Sequence, residues 1–549
     1  MACAASAPFL LYFLPIVLGG FLVLAWRGAR YWAGLWITGA SLVFYGSWNL
    51  TYVPLLVGSL LFNYFVGTYL ARHRQWPVLA AGIALNIAVL VYYKYTGFLI
   101  EVARDLTGAD LAIPVIVLPL ALSFFTFQQI AYLVDAYDGV AEEHDLGNYA
   151  LFITFFPHLI AGPITHHREM LPQFTHAGTF RPRWDWMALG ASLFVIGLFK
   201  KVEIADRLGE VARPVFAAAS AGQAMTLFDA WGGAIGYALQ VYFDFSGYTD
   251  MAIGLGLLFC IRLPQNFNSP YKAVNVIDFW SRWHMTLTRF LTTYVYNPLT
   301  ASLTRARARR GLPLPRGTRM PPRLWLVLVA VPTMLTMLIS GVWHGAGWQF
   351  VIFGLLHGFY LAVNHAWLGF QHHRARLRQA QGRPARARGA LATSVLYAAS
   401  VGATFICVVV AAVFFRSDSA HTGFRIVQGM LGLGGGPPSE TLQHLPIVSV
   451  VSQLLGVTIG ARQYVFNEHW FWIAVLLVGV WTLPNAQQWL HRYPTALQAP
   501  PQPAALQRTW PWLEWRPTAA VAFLLGFGGF FVLLRAVSAA PTEFLYFQF

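Results

Sequence analysis

The sequence predicts an all-α, polytopic membrane protein, and three observations carry that reading. Charged residues make up 11% of the 549-residue chain and hydrophobic ones 57%, whereas soluble domains carry roughly 25% charged residues. The shortage of charge is organised: charge-free runs at 8–26, 324–373, 389–415, 470–490 and 517–534 alternate with short basic clusters. A helix rises about 1.5 Å per residue, so roughly 18–20 apolar residues cross the ~30 Å hydrocarbon layer. Runs of this length are too long for the ~10-residue strands of a membrane barrel.

In chain order, apolar runs and helix breakers predict helices near 8–26, 31–48, 50–70, 77–100, 113–135, 148–161, 186–204, 222–261, 277–300, 324–341, 346–368, 390–415, 445–459, 470–490 and 517–538. Some of these are half-spans or interfacial helices. Pro114, Pro119, Pro157 and Pro163 mark ends or kinks, and 416–444 and 491–516 read as loops. The first apolar run lacks a basic leader and is followed by Arg27 and Arg30, which predicts a retained span whose C-terminal end is cytoplasmic. The whole chain, 1–549, reads as one integral-membrane domain, with a motif core over about 114–370 and C-terminal helices over about 390–549. Cys3, Cys260 and Cys407 are scattered and odd in number, so no disulfide framework or metal spacing follows.

The formal charge of +15 sits mostly in two clusters without acids: seven Arg within 305–323 and six within 374–388. Both lie in short stretches between apolar runs, which is the pattern of cytoplasmic loops. Nucleic acid is excluded as a partner because no stacking platform or binding motif accompanies the clusters.

The polar residues that interrupt apolar ground are the candidates for chemistry. His344, in SGVWHGAGWQF, is 21 residues from Arg323, about 30 Å if helical. It therefore lies at membrane depth or toward the far face, beside a Gly-rich break. An ionisable group there is a functional-site hypothesis, while the plainer reading is a neutral His that pins two helices. YFDFSGYTDMAIGLG (242–256) carries Asp244 and Asp250, which read as interhelical glue, with Tyr248 one turn from Asp244. In 266–299, Asn266 opens a loop and Asp278 caps the helix that follows. Arg282 and Arg289 share a face of that helix, with Trp280, Trp283 and His284 adjoining; the set suits an anionic ligand or an interfacial anchor. Glu203 and Arg207 form a structural i,i+4 pair. His158, His166 and His167 have no zinc-protease spacing, and no metal site is expected. A neutral imidazole in a water-poor cavity is suited to taking a proton from a hydroxyl. The residues thus lead to membrane acyl transfer, or to a transporter with a polar centre.

WHGAGWQFVIFGLLHG (343–358), with FWSRWHMTLTRFLTTYVYNPL (279–299) before it, resembles the membrane-bound O-acyltransferase family, and most closely its bacterial alginate O-acetylation branch. LPLALSFFTFQQIAYLVD (118–135), FFPHLIAGPITHHREMLPQF (155–174), YFDFSGYTDMAIGLG, RLPQNFNSPYKA (262–273), VFFRSD (413–418), LPNAQQ (483–488) and YFQF (546–549) match that branch in order. The resemblance implies a central helix bundle enclosing an intramembrane funnel, with His344 as the catalytic residue and His284 as a second active-site residue. It gives Trp343, Asp250, Tyr248, Arg282, Trp283, His357 and Asn266 binding or supporting roles. It further implies acetyl-CoA or another acyl thioester as donor substrate, no bound cofactor, a bacterial inner-membrane location and periplasmic proteins that handle acetyl or modify polysaccharide. The expected reaction is O-acetylation of an alginate-type exopolysaccharide. The alternatives are cellulose or peptidoglycan as acceptor, a lipid-modifying acyltransferase that needs long-chain acyl-CoA, or a non-catalytic transporter or assembly component.

Overall fold

The computed structural model describes residues 5–141, 145–176, 178–312, 320–382, 389–435, 450, 463–497, 515–538 and 544–545. In chain order its main helices are α1 (Phe9–Trp26), α2 (Arg30–Gly46), α3 (Val53–His73), α4 (Trp76–Thr107), α5 (Leu122–Tyr137), α6 (Leu146–Thr154), α7 (His167–Thr175), α8 (Trp184–Phe199), α9 (Asp206–Ser220) and α10 (Leu227–Leu258). They continue as α11 (Val276–Trp280), α12 (Met285–Leu291), α13 (Asn297–Arg309), α14 (Pro322–His344), α15 (Trp348–Ala380), α16 (Ala390–Arg416), α17 (Ala420–Met430), α18 (Asn467–Thr482) and α19 (Ala519–Ser538). Seven helices, α1, α3, α4, α14, α15, α16 and α19, are long and apolar enough to cross a membrane. The all-helical, multi-pass expectation holds.

Several predicted boundaries move, each for a local reason. The helix expected from 113 begins at Leu122, because Pro114 and Pro119 each remove a backbone donor and push the preceding residue out of helical geometry. The single helix expected over 277–300 is broken at Ser281–His284. Arg282 and Arg289 therefore do not share a helical face, and the cap expected from Asp278 is supplied by Asn275, whose side chain accepts from the Asp278 N–H. The stretch 416–444, read as a loop, contains α17, capped by Ser419 accepting from the Thr422 N–H. Helix α15 runs twelve residues past its expected end at 368. The helix expected at 445–459 and the terminal YFQF lie outside the described residues.

The chain divides into two compact units. The first comprises Met1–Asp206, Tyr242–Asn266 and Pro484–Phe549. Here amides tie α3, α4 and α5 together: Asn63 and Asn86 exchange hydrogen bonds at 3.1 and 2.8 Å, and Asn63 also donates to Gln129 at 2.9 Å. In lipid, where apolar burial does not hold helices together, such bonds and close packing do. The close packing is visible where α8 crosses the second half of α10. A Cβ on Gly197 would stand 2.4 Å from the Gly247 carbonyl, and one on Gly190 would stand 2.6 Å from that of Gly254. Buried charges pair across the same elements. Lys200 meets Asp250 at 2.6 Å, and Lys201 meets Asp206 at 2.7 Å and Asp244 at 2.8 Å. Glu203, read as the partner of Arg207, meets Arg535 at 3.2 Å.

The second unit comprises Arg207–Val241 and Phe267–Leu483. Its organising pair is the hairpin α14–α15. A Cβ on Gly341 would lie 2.3 Å from the Phe350 carbonyl oxygen, and one on Gly354 would lie 2.5 Å from that of Met337. Backbone therefore touches backbone along the hairpin. The turn Gly345–Gly347 that joins the two helices follows His344 directly.

Candidate active site

His344 is the last residue of α14, and only 4% of it is exposed. Its position follows from the hairpin. Helix α14 ends here because Gly345 takes an extended backbone, and a side chain at Gly345 would strike the Phe350 ring at 2.1 Å. Aromatic rings surround the imidazole: Trp343 at 4.8 Å, Phe415 at 5.0 Å and Phe353 at 5.9 Å between centroids. The His284 ring is 6.5 Å away.

His284 reaches this place through strained backbone. It sits in the break between α11 and α12 with φ 42 and ψ 51, the left-handed region that costs an ordinary residue about 1–2 kcal/mol. It is wholly buried, and burial pushes its pKa down to about 3. The ring is therefore neutral at working pH and offers one donor and one acceptor nitrogen. Strain held at a buried polar residue marks a position fixed by its surroundings.

His357, on α15, is buried. Its Nδ1 accepts from the Trp280 indole N–H at 3.2 Å, and its ring lies between Phe353 and Phe279. Trp343 is buried against both His284 and His344. Arg282 is held by Asp278 at 2.7 Å. Trp283 stacks on Phe279 at 5.6 Å and edges Phe267 at 5.0 Å. All of these belong to one unit. Asp250, Tyr248 and Asn266 belong to the other. There Asp250 is bound by Lys200 and Gln487, the Tyr248 ring packs 4.6 Å from Phe544, and Asn266 is buried. The glue reading of Asp244 and Asp250 holds: Asp244 takes Lys201 and the Leu545 N–H.

The second unit also holds a cavity of about 310 Å³. Trp280, Thr288, Tyr296, Thr333, Thr336 and Met337 are among its walls. Thr336 stands two turns before His344, and Thr288 one turn after His284. His365 is among the lining residues, and His284, His344 and His357 are not. Sequence reasoning missed Phe415, Phe353 and Thr336. Phe415 was visible only as part of VFFRSD, while Thr336 was legible from its spacing to His344.

The family model for MBOAT, the membrane-bound O-acyltransferase family, matches residues 139–311. The peptidoglycan O-acetyltransferase of Helicobacter pylori is 35% identical across 98% of this chain and 96% of its own. The "Probable alginate O-acetylase AlgI" of Pseudomonas aeruginosa is 32% identical across 99% of both chains. A teichoic acid D-alanyltransferase of Streptococcus thermophilus is 26% identical across 45% of this chain and 57% of its own.

Proposed function

The chain belongs to the membrane-bound O-acyltransferase family, and from that premise we propose that this multi-pass O-acyltransferase moves acetyl from acetyl-CoA to hydroxyls of a polysaccharide outside the cytoplasm. The site lies in the bacterial inner membrane, with the basic loops and the donor on the cytoplasmic side. The observation that carries the reading is the buried pair His344 and His284, set 6.5 Å apart at the end of an apolar helix hairpin.

In this reaction His344 takes the proton of the acceptor hydroxyl as its oxygen attacks the thioester carbonyl carbon. The C–S bond then breaks, and the thiolate takes that proton back from the imidazolium. Neutral His284, next to His344, is suited to donate a hydrogen bond to the oxyanion that forms in between. A positioned base contributes about 10²–10⁴-fold. The hydrophobic walls around His344 keep water from competing for the acyl group.

The acceptor proposed first is an alginate-type exopolysaccharide, reached directly or through periplasmic proteins that handle acetyl. The second reading is peptidoglycan, favoured by the relative from Helicobacter pylori. The test is reconstitution in proteoliposomes with labelled acetyl-CoA on one side and alginate oligomers or peptidoglycan fragments on the other. Label is expected in one polymer, with a loss of about 10²–10⁴-fold in His344→Gln. A well-folded His344→Gln protein that transfers at the wild-type rate would overturn the role of His344.

A further inference from the structure

Several arginines of this chain have a carboxylate to balance them: Arg168 has Asp135 at 3.0 Å, Arg183 has Asp185 at 2.7 Å, Arg282 has Asp278 at 2.7 Å and Arg535 has Glu203 at 3.2 Å. Arg262, in the first unit, does not. It is half-buried, and its Nε is shut off from solvent and makes no hydrogen bond among the described residues. Its guanidinium forms no ion pair among them either. A charge drawn out of water calls for an opposite charge or hydrogen-bond partners, so this position asks for an anion.

The surroundings fix Arg262 and set two more arginines beside it. Gln173 of α7 clasps its backbone from both sides, accepting from the Arg262 N–H at 2.9 Å and donating to its carbonyl at 3.0 Å. The Arg262 guanidinium lies 5.1 Å from the centre of the Trp186 ring, which also takes Arg183 at 4.6 Å. Two residues before Arg262, Cys260 holds left-handed backbone at φ 60, and its thiol donates to the Arg181 carbonyl at 3.1 Å. Arg181, Arg183 and Arg262 thus gather at the start of α8. Asp185 is engaged there by Arg183 through two hydrogen bonds at 2.7 and 3.3 Å, and it leaves the positive charge of the other two arginines in excess.

The cluster stands at a lipid–water boundary. Trp184, the first residue of α8, is exposed. Phe180 edges Phe21 of α1 at 5.9 Å, and a Cβ on Gly34 of α2 would lie 3.8 Å from the Phe180 ring. The turn from α1 to α2 therefore shares this end of the unit, and there Trp26, Tyr31 and Trp32 are exposed beside Arg27 and Arg30. Exposed Trp and Tyr collect at headgroup level, and arginines collect on the cytoplasmic side. We propose that Arg262, with Arg181 and Arg183, binds the phosphate of an anionic phospholipid of the cytoplasmic leaflet. Guanidinium N–H groups donate to the phosphate oxygens as charge-assisted bonds, for which the planar fork of arginine is suited. The lipid supplies the anion that Arg262 lacks within the chain, and the proposal does not depend on the acyl-transfer reading.

The test titrates the delipidated full-length protein in detergent with phosphatidylglycerol or phosphatidylcholine of the same acyl chains, read by native mass spectrometry and by melting temperature. Wild type should bind phosphatidylglycerol the more tightly and gain melting temperature from it. Arg262→Gln should weaken that binding about tenfold and lose most of the thermal gain, while Arg262→Lys, which keeps the charge without the fork, should lose less. Arg181 is exposed, so Arg181→Gln leaves folding intact and should weaken binding about fivefold. Arg27→Gln, at an exposed arginine of the same end, should change little. Arg262→Gln and Arg181→Gln proteins that bind phosphatidylglycerol as wild type does would overturn the proposal. Equal weakening by Arg27→Gln would overturn it too, since that is the mark of diffuse surface charge. Inorganic phosphate that raises the wild-type melting temperature as far as the lipid does would replace the lipid with a free anion.

Discussion

Trp280 donates its indole N–H to His357 Nδ1 across 3.2 Å, inside a cluster of rings that includes Phe279 and Phe353. An indole nitrogen can only donate, so the bond leaves the His357 proton on Nε2. His357→Leu should lower stability by about 1–3 kcal/mol, because the buried indole N–H loses its acceptor. Adding Trp280→Phe should recover much of that loss. Melting curves of the detergent-solubilised single and double variants check it, and equal melting points for His357→Leu and wild type would refute it.

The hairpin predicts which glycines matter. Gly354→Ala places a methyl 2.5 Å from the Met337 carbonyl, so α14 and α15 must separate and both melting temperature and acyl transfer should fall. Gly369 is on the same helix with nothing within 4 Å of its would-be Cβ. Gly369→Ala should be neutral, or stabilising by up to about 1 kcal/mol through helix propensity.

Acid should destabilise the protein with a defined sign. Burial holds His284 down to about 3, and His158 and His167 down to about 4. Between those values and the ordinary 6.5 the unfolded chain binds more protons than the folded one, so stability falls as pH drops through that window, by at most about 1.4 kcal/mol per pH unit for each histidine. His284→Asn tolerates left-handed backbone and removes one titrating group. Its melting temperature should decline less steeply between pH 6.5 and pH 4 than that of wild type. An unchanged slope would remove His284 from the account.

The buried pair Lys200–Asp250 should show the asymmetry of ion pairs in low dielectric. Asp250→Leu alone leaves the Lys200 ammonium without its carboxylate and should cost about 3–5 kcal/mol. Lys200→Met with Asp250→Leu should cost clearly less, because no uncompensated charge remains. Thermal unfolding of wild type and the two variants decides the order.

The long apolar helices were legible because membrane thickness dictates their length. Helices α14, α16 and α19 begin and end within three residues of expectation. What failed was anything decided by local backbone. A uniform period over 277–300 hid the break at Ser281–His284, since no Pro or Gly announces it; the left-handed residue is a histidine. Helix α17 was missed because only its Ser419 cap marks it. At the site, His344 was legible from the contrast between one polar residue and charge-free surroundings. Phe415 was not, because a ring that closes over an imidazole from a distant helix leaves no spacing to read.

Helix α14 presents Thr336, Ser340 and His344 at steps of four residues, which drift by only about 40° each. Inserting one residue between Gly341 and His344 would swing the imidazole by about 100° and shift it by about 1.5 Å, while leaving hydropathy and span length nearly unchanged. The proposed reaction centre is thus encoded in angular phase rather than in loop shape. Lengthening α14 by a single residue should silence the protein more surely than conservative side-chain exchanges in the surrounding rings.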